Sequence, residues 1–284
     1  MELEYQCNLC TGKDFIYRDN LTDRLGCDRQ RHSVVKCKGC SLHSLFPIPS
    51  GTELESIYED YAKKGNRINV EKLRIKDVYP KKIDLIRKYN PETKTILDIG
   101  SGLGGFASIA KKAGFDVTGL EPQKEQCEIA NELFHIELYC TNFEKFCNDD
   151  KKKYDVVHLH HVLEHLRDPK GTLLGIKEKL TENGMLILEV PNQFFSLKTE
   201  LYAKIGKANF EKSLNPYHHI YFFSPYTLKE MLLKTGFKIL ELNDVSRHSS
   251  NSNIKNRLKH LLSHMLRMGT SSRIEAIAVR SETL

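Results

Sequence analysis

The sequence predicts an α/β protein: a Rossmann-like sheet of seven strands, largely parallel and covered by helices on both faces, with a small cysteine-ribbon module in front of it. Three observations predict this. Apolar, β-favouring runs alternate with helical patterns from Thr95 onward, a glycine-rich turn joins the first of those runs to a helix, and two C-x2-C pairs stand near the N-terminus. Strand–helix alternation favours a parallel sheet buried on both sides. At 284 residues the chain can hold one large domain and a small addition.

Composition narrows the class. With 40% hydrophobic and 28% charged residues the chain has the balance of a soluble globular protein. No apolar run approaches the ~20 residues of a membrane helix. Met1-Glu2-Leu3-Glu4 is acidic and has no apolar h-region, so no signal peptide is expected and a cytoplasmic location is. The net charge of +6 permits an anionic substrate without demanding nucleic acid.

Residues 1–50 read as a zinc-ribbon-like module. Cys7, Cys10, Cys37 and Cys40 form two C-x2-C knuckles, and Phe15-Ile16-Tyr17 and Val34-Val35-Lys36 read as strands between and beside them. Four thiolates at this spacing can close a tetrahedral site around Zn²⁺. A closed site leaves no open position for catalysis, so the metal is expected to be structural and to supply stability that so short a segment lacks. Gly12 and Gly39 are expected to ease the knuckle turns. Cys27 is a substitute ligand without a partner at knuckle spacing, and disulfides are not expected in a reducing compartment.

Phe46-Pro47-Ile48-Pro49 marks a boundary. Residues 51–90 then read as a helical linker or lid, with helices over 53–61 and 70–89, the second divided or kinked at Pro80. The main domain occupies residues 91–284. Its expected strands are 96–99, 115–120, 136–139, 154–159, 185–190, 237–242 and 273–279. Its expected helices are 106–113, stopped by Gly114; 123–134; 169–180, opened by Asp168-Pro169; and 225–235, capped by Ser224 and stopped by Gly236. A basic amphipathic helix is expected between Asn253 and Met268. Its leucine face is read as core, although contact with anionic lipid is the other use of such a helix.

The glycine turn admits two ligands. Gly100, Gly102 and Gly105 satisfy G-x-G-x-x-G, and Glu121 ends the next strand, where a carboxylate can accept ribose hydroxyls. Both features suit a dinucleotide. Asp98 separates the cases: a carboxylate before the loop repels a pyrophosphate but receives the ammonium of a methionine moiety. The closing strand, helix and strand, and the little chain left for a separate substrate domain, also favour S-adenosylmethionine.

Leu97-Asp98-Ile99-Gly100-Ser101-Gly102-Leu103-Gly104, Leu120-Glu121-Pro122, Tyr154-Asp155-Val156-Val157 and Val162-Leu163-Glu164-His165-Leu166-Arg167-Asp168-Pro169 resemble the successive motifs of class I SAM-dependent methyltransferases, especially the ubiquinone-biosynthesis branch. His219-Ile220-Tyr221-Phe222-Phe223-Ser224 with Thr235-Gly236-Phe237 fits that branch. Val35-Lys36-Cys37-Lys38-Gly39-Cys40-Ser41-Leu42 followed by Pro47-Ile48-Pro49 resembles the zinc-binding extension of bacterial methyltransferases in sugar and surface-polysaccharide pathways. The resemblance implies the seven-stranded methyltransferase sheet and places Asp98, Gly100, Ser101 and Gly102 at the methionine end. It puts Glu121, Pro122 and Gln123 at the ribose, Asn142 and Phe143 at the adenine, and His160 beside the methionine and facing the substrate. It implies a small-molecule acceptor, a nucleotide- or lipid-linked sugar.

Methyl transfer needs an aligned nucleophile and a group to take its proton. Histidine suits the second task. His160, His165 and His219 are the catalytic candidates, with His218 read as solvent-facing. His161 and His165 lie four apart around Glu164, so a helical turn there would put them on one face, where they could ligate a metal. The plainer role for Glu164 is to anchor the loop by hydrogen bonds. Two other classes compete with this reading: an RNA methyltransferase gripping RNA through the ribbon, against which the basic residues are dispersed and no Asn-Pro-Pro-Tyr motif is present; and a non-catalytic zinc-ribbon scaffold, against which Asp98, the glycines and Glu121 are intact.

Overall fold

A computed structural model describes residues 5–19, 21–22, 31–54, 67–192, 219–244 and 273–281. The expected helix at 253–268, Cys27 and all of residues 55–66 and 193–218, His218 among them, lie outside the described residues.

Two sheets carry the fold. The larger has the order β5 (Asp116–Leu120), β4 (Thr95–Ile99), β6 (Tyr154–His160), β7 (Leu180–Pro191), β10 (Arg273–Arg280), β9 (Phe237–Asp244). Neighbours from β5 to β7 run parallel, and β10 runs antiparallel to both β7 and β9. The expected third strand at 136–139 is reduced to one parallel bridge, Leu120 with Tyr139, so among the described residues this sheet has six full strands and the seventh position holds a single residue pair. The strand order reverses between β4 and β6, which is where α/β sheets of this kind bind ligands, beyond the carboxyl ends of the strands.

Both faces of this sheet are covered, mostly by apolar side chains. Leu97, Ile99, Val157, Leu159, Leu186 and Leu188 pack to one side, with α6 (Pro169–Lys179) and α7 (Pro225–Lys234). Ile96, Val156, Met185, Ile187 and Ile277 pack to the other, with α2 (Tyr79–Tyr89) and α3 (Gly105–Lys112). Alternate residues thus feed opposite cores, which is why the strands read as nearly continuous apolar runs. The lid segment contains α1 (Arg67–Asp77) and α2, divided at Val78, with Pro80 in the first turn of α2, where its missing N–H costs nothing. Two further helices are α4 (Lys124–Phe134) and α5 (Phe143–Asp149); α5 was not read from the sequence and is opened by the Asn142 side chain, which accepts a bond from Lys145 N at 2.9 Å.

The second sheet has the order β1 (Phe15–Tyr17), β2 (Ser33–Cys37), β3 (His43–Phe46), β8 (Tyr221–Phe222). Three strands come from the ribbon and the fourth from the main domain, so the two are hydrogen-bonded together and share one apolar core through Leu9, Leu42, Ile220 and Phe223.

One expectation about cysteine fails. Cys127 on α4 and Cys140, next to the bridge residue Tyr139, are joined as a disulfide, because packing of α4 against this edge brings their Cα atoms to 6.3 Å. No described helix is long and apolar enough to cross a membrane.

Candidate active site and metal centre

The glycine loop leaves β4 with Gly100, Gly102 and Gly104 all at positive φ. At Gly100 a side chain is barred twice over: φ is +70°, and an added Cβ would stand 2.5 Å from Val162. That contact seats the loop directly on the histidine-rich segment after β6. Asp98, at the end of β4, is 2% exposed. His158 Nδ1 donates to its Oδ1 at 2.7 Å, while its Oδ2 is buried with no hydrogen-bond partner among the described residues. Glu121, beyond β5, accepts bonds from Gly102 N at 2.9 Å and Gln123 N at 3.0 Å. Burial pushes its carboxyl up to about 7 despite those two bonds.

Helix α1 closes over the loop. Glu71 Oε1 accepts from Tyr79 Oη at 2.8 Å and from Gly105 N, the first N–H of α3, at 3.1 Å. Arg67 donates to Gln126 Oε1 at 2.8 Å, and Gln126 bonds Gln123. The helix N-terminus that would receive a pyrophosphate is therefore occupied by a carboxylate of the chain itself.

From Asp98 a line of polar side chains runs along the carboxyl ends of the strands. His158 stacks on Phe106 with ring centroids 3.7 Å apart. His160, at the end of β6, donates from Nε2 to Glu189 Oε1 at 3.2 Å. Burial holds the His160 imidazole well below its ordinary range, so it is neutral at pH 7. Glu189 also takes Lys82 at 2.8 Å and Arg273 at 2.9 Å, and Lys82 reaches on to Glu275. Desolvation opposes the charge on Glu189, but its two histidines and Lys82 outweigh that and hold it far below the usual carboxylate range.

Next along the line, His161 lies between the two carboxylates, 3.3 Å from Glu164 and 3.5 Å from Glu189. Burial lowers its affinity for a proton, and the bonds to those carboxylates more than restore it, so its pKa is raised. Glu164 is fully buried, with His161, His165 and His219 within 3.9 Å of its Oε1. Burial raises its carboxyl, but the His161 hydrogen bond and the surrounding imidazoles outweigh it and lower the pKa to about 2.

The three catalytic candidates are thus divided. His165 and His219 meet edge to face, 4.6 Å between centroids, over Glu164; His160 belongs to Glu189. The expected helical pairing of His161 with His165 does not form, because the helical turn is only Leu163–His165 and His161 precedes it at φ +58°. Glu164 does more than anchor a loop: its backbone oxygen does that, accepting from Ile220 N at 2.8 Å, while its carboxylate collects imidazoles. Asn142 spends its side chain on the cap of α5, and the Phe143 ring is buried against Gly175. Ser101 donates to Asp98 O at 3.0 Å.

At the other end of the site's apolar flank, Cys7, Cys10, Cys37 and Cys40 converge, with every sulfur within 4.8 Å of the others and the closest pairs at 3.4 and 3.5 Å. A tetrahedral Zn²⁺ with ~2.3 Å bonds needs sulfurs roughly 3.8 Å apart, so the donor set fits. The two knuckles have matching turns, but the left-handed positions are Thr11 at +59° and Ser41 at +66°, not the neighbouring glycines. Gly12 and Gly39 instead leave room for sulfur: an added Cβ would lie 3.3 and 3.4 Å from Cys10 Sγ.

A family model described as a methyltransferase domain matches residues 71–242. The chain belongs to this methyltransferase family. Among curated proteins it is 27% identical over 154 residues to a ubiquinone biosynthesis O-methyltransferase of Aliivibrio fischeri, covering 51% of this chain and 64% of that one. It is 26% identical over 178 residues to the enzyme of the same name from Aromatoleum aromaticum, covering 60% and 75%. The chain therefore spans less than two thirds of the first relative's length. Among solved structures it superposes on a SAM-dependent methyltransferase from Archaeoglobus fulgidus with a TM-score of 0.52 at 18% identity, covering 76% of this chain and 100% of that one. It superposes on the plantazolicin methyltransferase BpumL with a TM-score of 0.53 at 19% identity, covering 84% and 92%. At these identities the superpositions bear on fold.

In this methyltransferase-family chain, the site residues missed in the sequence are Glu71, Lys82, His158 and Glu189. A usable signal existed for two of them: His158 and Glu189 are lone polar residues inside apolar strand runs, as Asp98 is. Glu71 and Lys82 sit among other charges on helices, where nothing local distinguishes them.

Proposed function

We propose that the protein transfers a methyl group from S-adenosylmethionine to a small-molecule acceptor, a nucleotide- or lipid-linked sugar of surface-polysaccharide synthesis. The observation that carries the reading is Asp98: a buried carboxylate at the strand switch point with one oxygen bound to His158 and the other unpartnered. Such an oxygen calls for a cation, which the methionine ammonium supplies and a dinucleotide does not. The cofactor brings an electrophilic methyl on a sulfonium. Gly100, Ser101 and Gly102 would hold its methionine end, Glu121, Pro122 and Gln123 its ribose, and Asn142 and Phe143 its adenine through their main chain.

His219 is the base for the acceptor, with the Glu164 carboxylate 3.9 Å from its Nε2 and favouring the protonated form it acquires; His165 shares that carboxylate and His160 lines the cofactor side. The sugar assignment rests on the resemblance of residues 35–49 to extensions found in that group of enzymes. Residues 1–50 form the zinc module, 51–90 the lid and 91–284 the methyltransferase domain. A screen of nucleotide- and lipid-linked sugars with methyl-labelled S-adenosylmethionine tests the reading; label transfer to a quinone-precursor phenol and to no sugar would move it to the chemistry named for the curated relatives.

A second reading has one observation in its favour. Glu164, His165 and His219 each offer a ligand atom within 4.8 Å of the others, and Glu164 Oε2 is buried with no hydrogen-bond partner among the described residues. A divalent cation there would orient the acceptor oxygen instead of a histidine deprotonating it. Activity abolished by removal of Mg²⁺ or Mn²⁺, with the ribbon zinc retained, would select it.

A further inference from the structure

Resting on the reading of His219 as the base, we propose that the four-cysteine module is a brace for His219, so that metal in the ribbon governs the proton-transfer step and leaves cofactor binding alone. The evidence is where the chain after His219 goes. It does not join the large sheet. Tyr221 and Phe222 form β8, whose only sheet partner among the described residues is β3 of the ribbon, with Ser44 opposite Tyr221 and His43 opposite Phe222.

The backbone of Ile220 is the joint. Leu45 N donates to its oxygen at 2.8 Å from the ribbon side, and its own N–H donates to Glu164 O at 2.8 Å on the other. Leu45 and Ile220 are both fully buried. One residue therefore ties the ribbon's last strand to the turn that carries Glu164 and His165, and His219 is the residue immediately before it. A two-residue strand holds no register by itself; its geometry comes from the strand it is laid upon. That strand, β3, is paired in turn with β2, which ends at the zinc ligand Cys37.

Further bonds fix the module to the same corner of the main domain. Asn8, inside the first knuckle, donates to Asp168 Oδ1 at 2.7 Å and accepts from Lys170 N at 2.9 Å. Tyr221 Oη donates to Arg167 O at 3.2 Å, and Tyr5 Oη lies 2.6 Å from Ser44 Oγ. By contrast, the described hydrogen-bond partners of the Asp98 and Glu121 carboxylates are His158, Gly102 and Gln123, all outside the ribbon. The brace and the cofactor loop are thus separable.

The first test uses the full-length protein, zinc-loaded and then stripped with a chelator, and follows amide hydrogen exchange. Stripping is expected to speed exchange at Leu45, Ile220 and Phe222 at least tenfold, to leave Leu97–Ile99 protected, and to change the calorimetric affinity for S-adenosylmethionine less than twofold. Retained protection at Ile220 in the stripped protein, or loss of S-adenosylmethionine binding with the metal, overturns the proposal.

The second test is a double-mutant cycle on methyl transfer to the acceptor found in the sugar screen. Leu45→Pro deletes the donor to Ile220 and is expected to lower kcat at least tenfold in the wild type and less than twofold in a His219→Ala background. Should Leu45→Pro lose its zinc, Asn8→Ala takes its place with the same non-additive pattern expected. Equal losses in both backgrounds overturn the brace, since a general structural defect would lower both. Unchanged turnover in His219→Ala alone removes the base assignment, and the exchange experiment then judges the mechanical link by itself.

Discussion

Single residues in this site are defined by which charge they are denied. Glu121 is pushed up to about 7 by burial. The unfolded chain releases that proton near the ordinary carboxylate value, so between about pH 4.5 and 7 the folded state holds a proton the unfolded state has lost. Stability therefore falls as pH rises through that window and levels off above it, by about 3 kcal/mol. Glu121→Gln is expected to flatten this part of a stability profile measured by denaturant titration; an unchanged slope would assign the effect to another group. Ribose hydroxyls donating to Glu121 favour its ionised form, so S-adenosylmethionine binding near pH 6 is expected to release a proton, seen as a dependence of calorimetric heat on buffer ionisation enthalpy. Heats that do not vary with buffer would contradict it. At Glu164 the balance goes the other way: three imidazoles hold the carboxylate charged in spite of complete burial, which is the condition for it to orient a histidine that becomes protonated.

At the scale of elements, α2 is bolted to the sheet by charge. Lys82 lies buried between Glu189 of β7 and Glu275 of β10. Desolvation lowers its pKa, and its removal takes a cation from both carboxylates, of which Glu189 keeps His160, His161 and Arg273. Lys82→Met is expected to destabilise the protein by about 3 kcal/mol in a denaturant titration, although methionine is of similar length; a loss below ~1 kcal/mol would show that His160, His161 and Arg273 satisfy Glu189 without the lysine. The cap of α5 is a smaller test: Asn142→Ala should cost about 1 kcal/mol and leave S-adenosylmethionine affinity unchanged, whereas a fall in affinity would mean that the amide itself reaches the adenine. These elements also show what was legible in the sequence. Ile96–Ile99, the glycine turn and the Ser224 and Asp168 caps were readable because the signal is local: a periodicity, a positive φ, or a cap three residues from its target. Helix α5 was missed because seven residues give too little periodicity. The third strand was over-read because Ile136–Tyr139 has strand composition but only one pairing residue at a sheet edge. The Lys82–Glu189 contact spans 107 positions, and no local pattern encodes it.

At the scale of the whole molecule, two metal- and cofactor-type sites share one apolar core. The sulfur cluster was legible from spacing; the strand β8 that joins it to His219 was not, because two residues of pairing leave no trace in a sequence. The assembly places the cofactor loop on the large sheet and the His219 joint on the ribbon sheet, with Glu164 linking the two through Ile220. All of it depends on Asp98 receiving a cation. The most direct measurement is calorimetric titration of S-adenosylmethionine and of NAD into wild type and Asp98→Ala, with zinc content measured in each. The account predicts that the wild type binds S-adenosylmethionine and not NAD, and that Asp98→Ala loses about a hundredfold in affinity, or ~2.7 kcal/mol, with zinc retained. Wild type that binds NAD and not S-adenosylmethionine, or Asp98→Ala that binds S-adenosylmethionine as tightly as wild type, would contradict it.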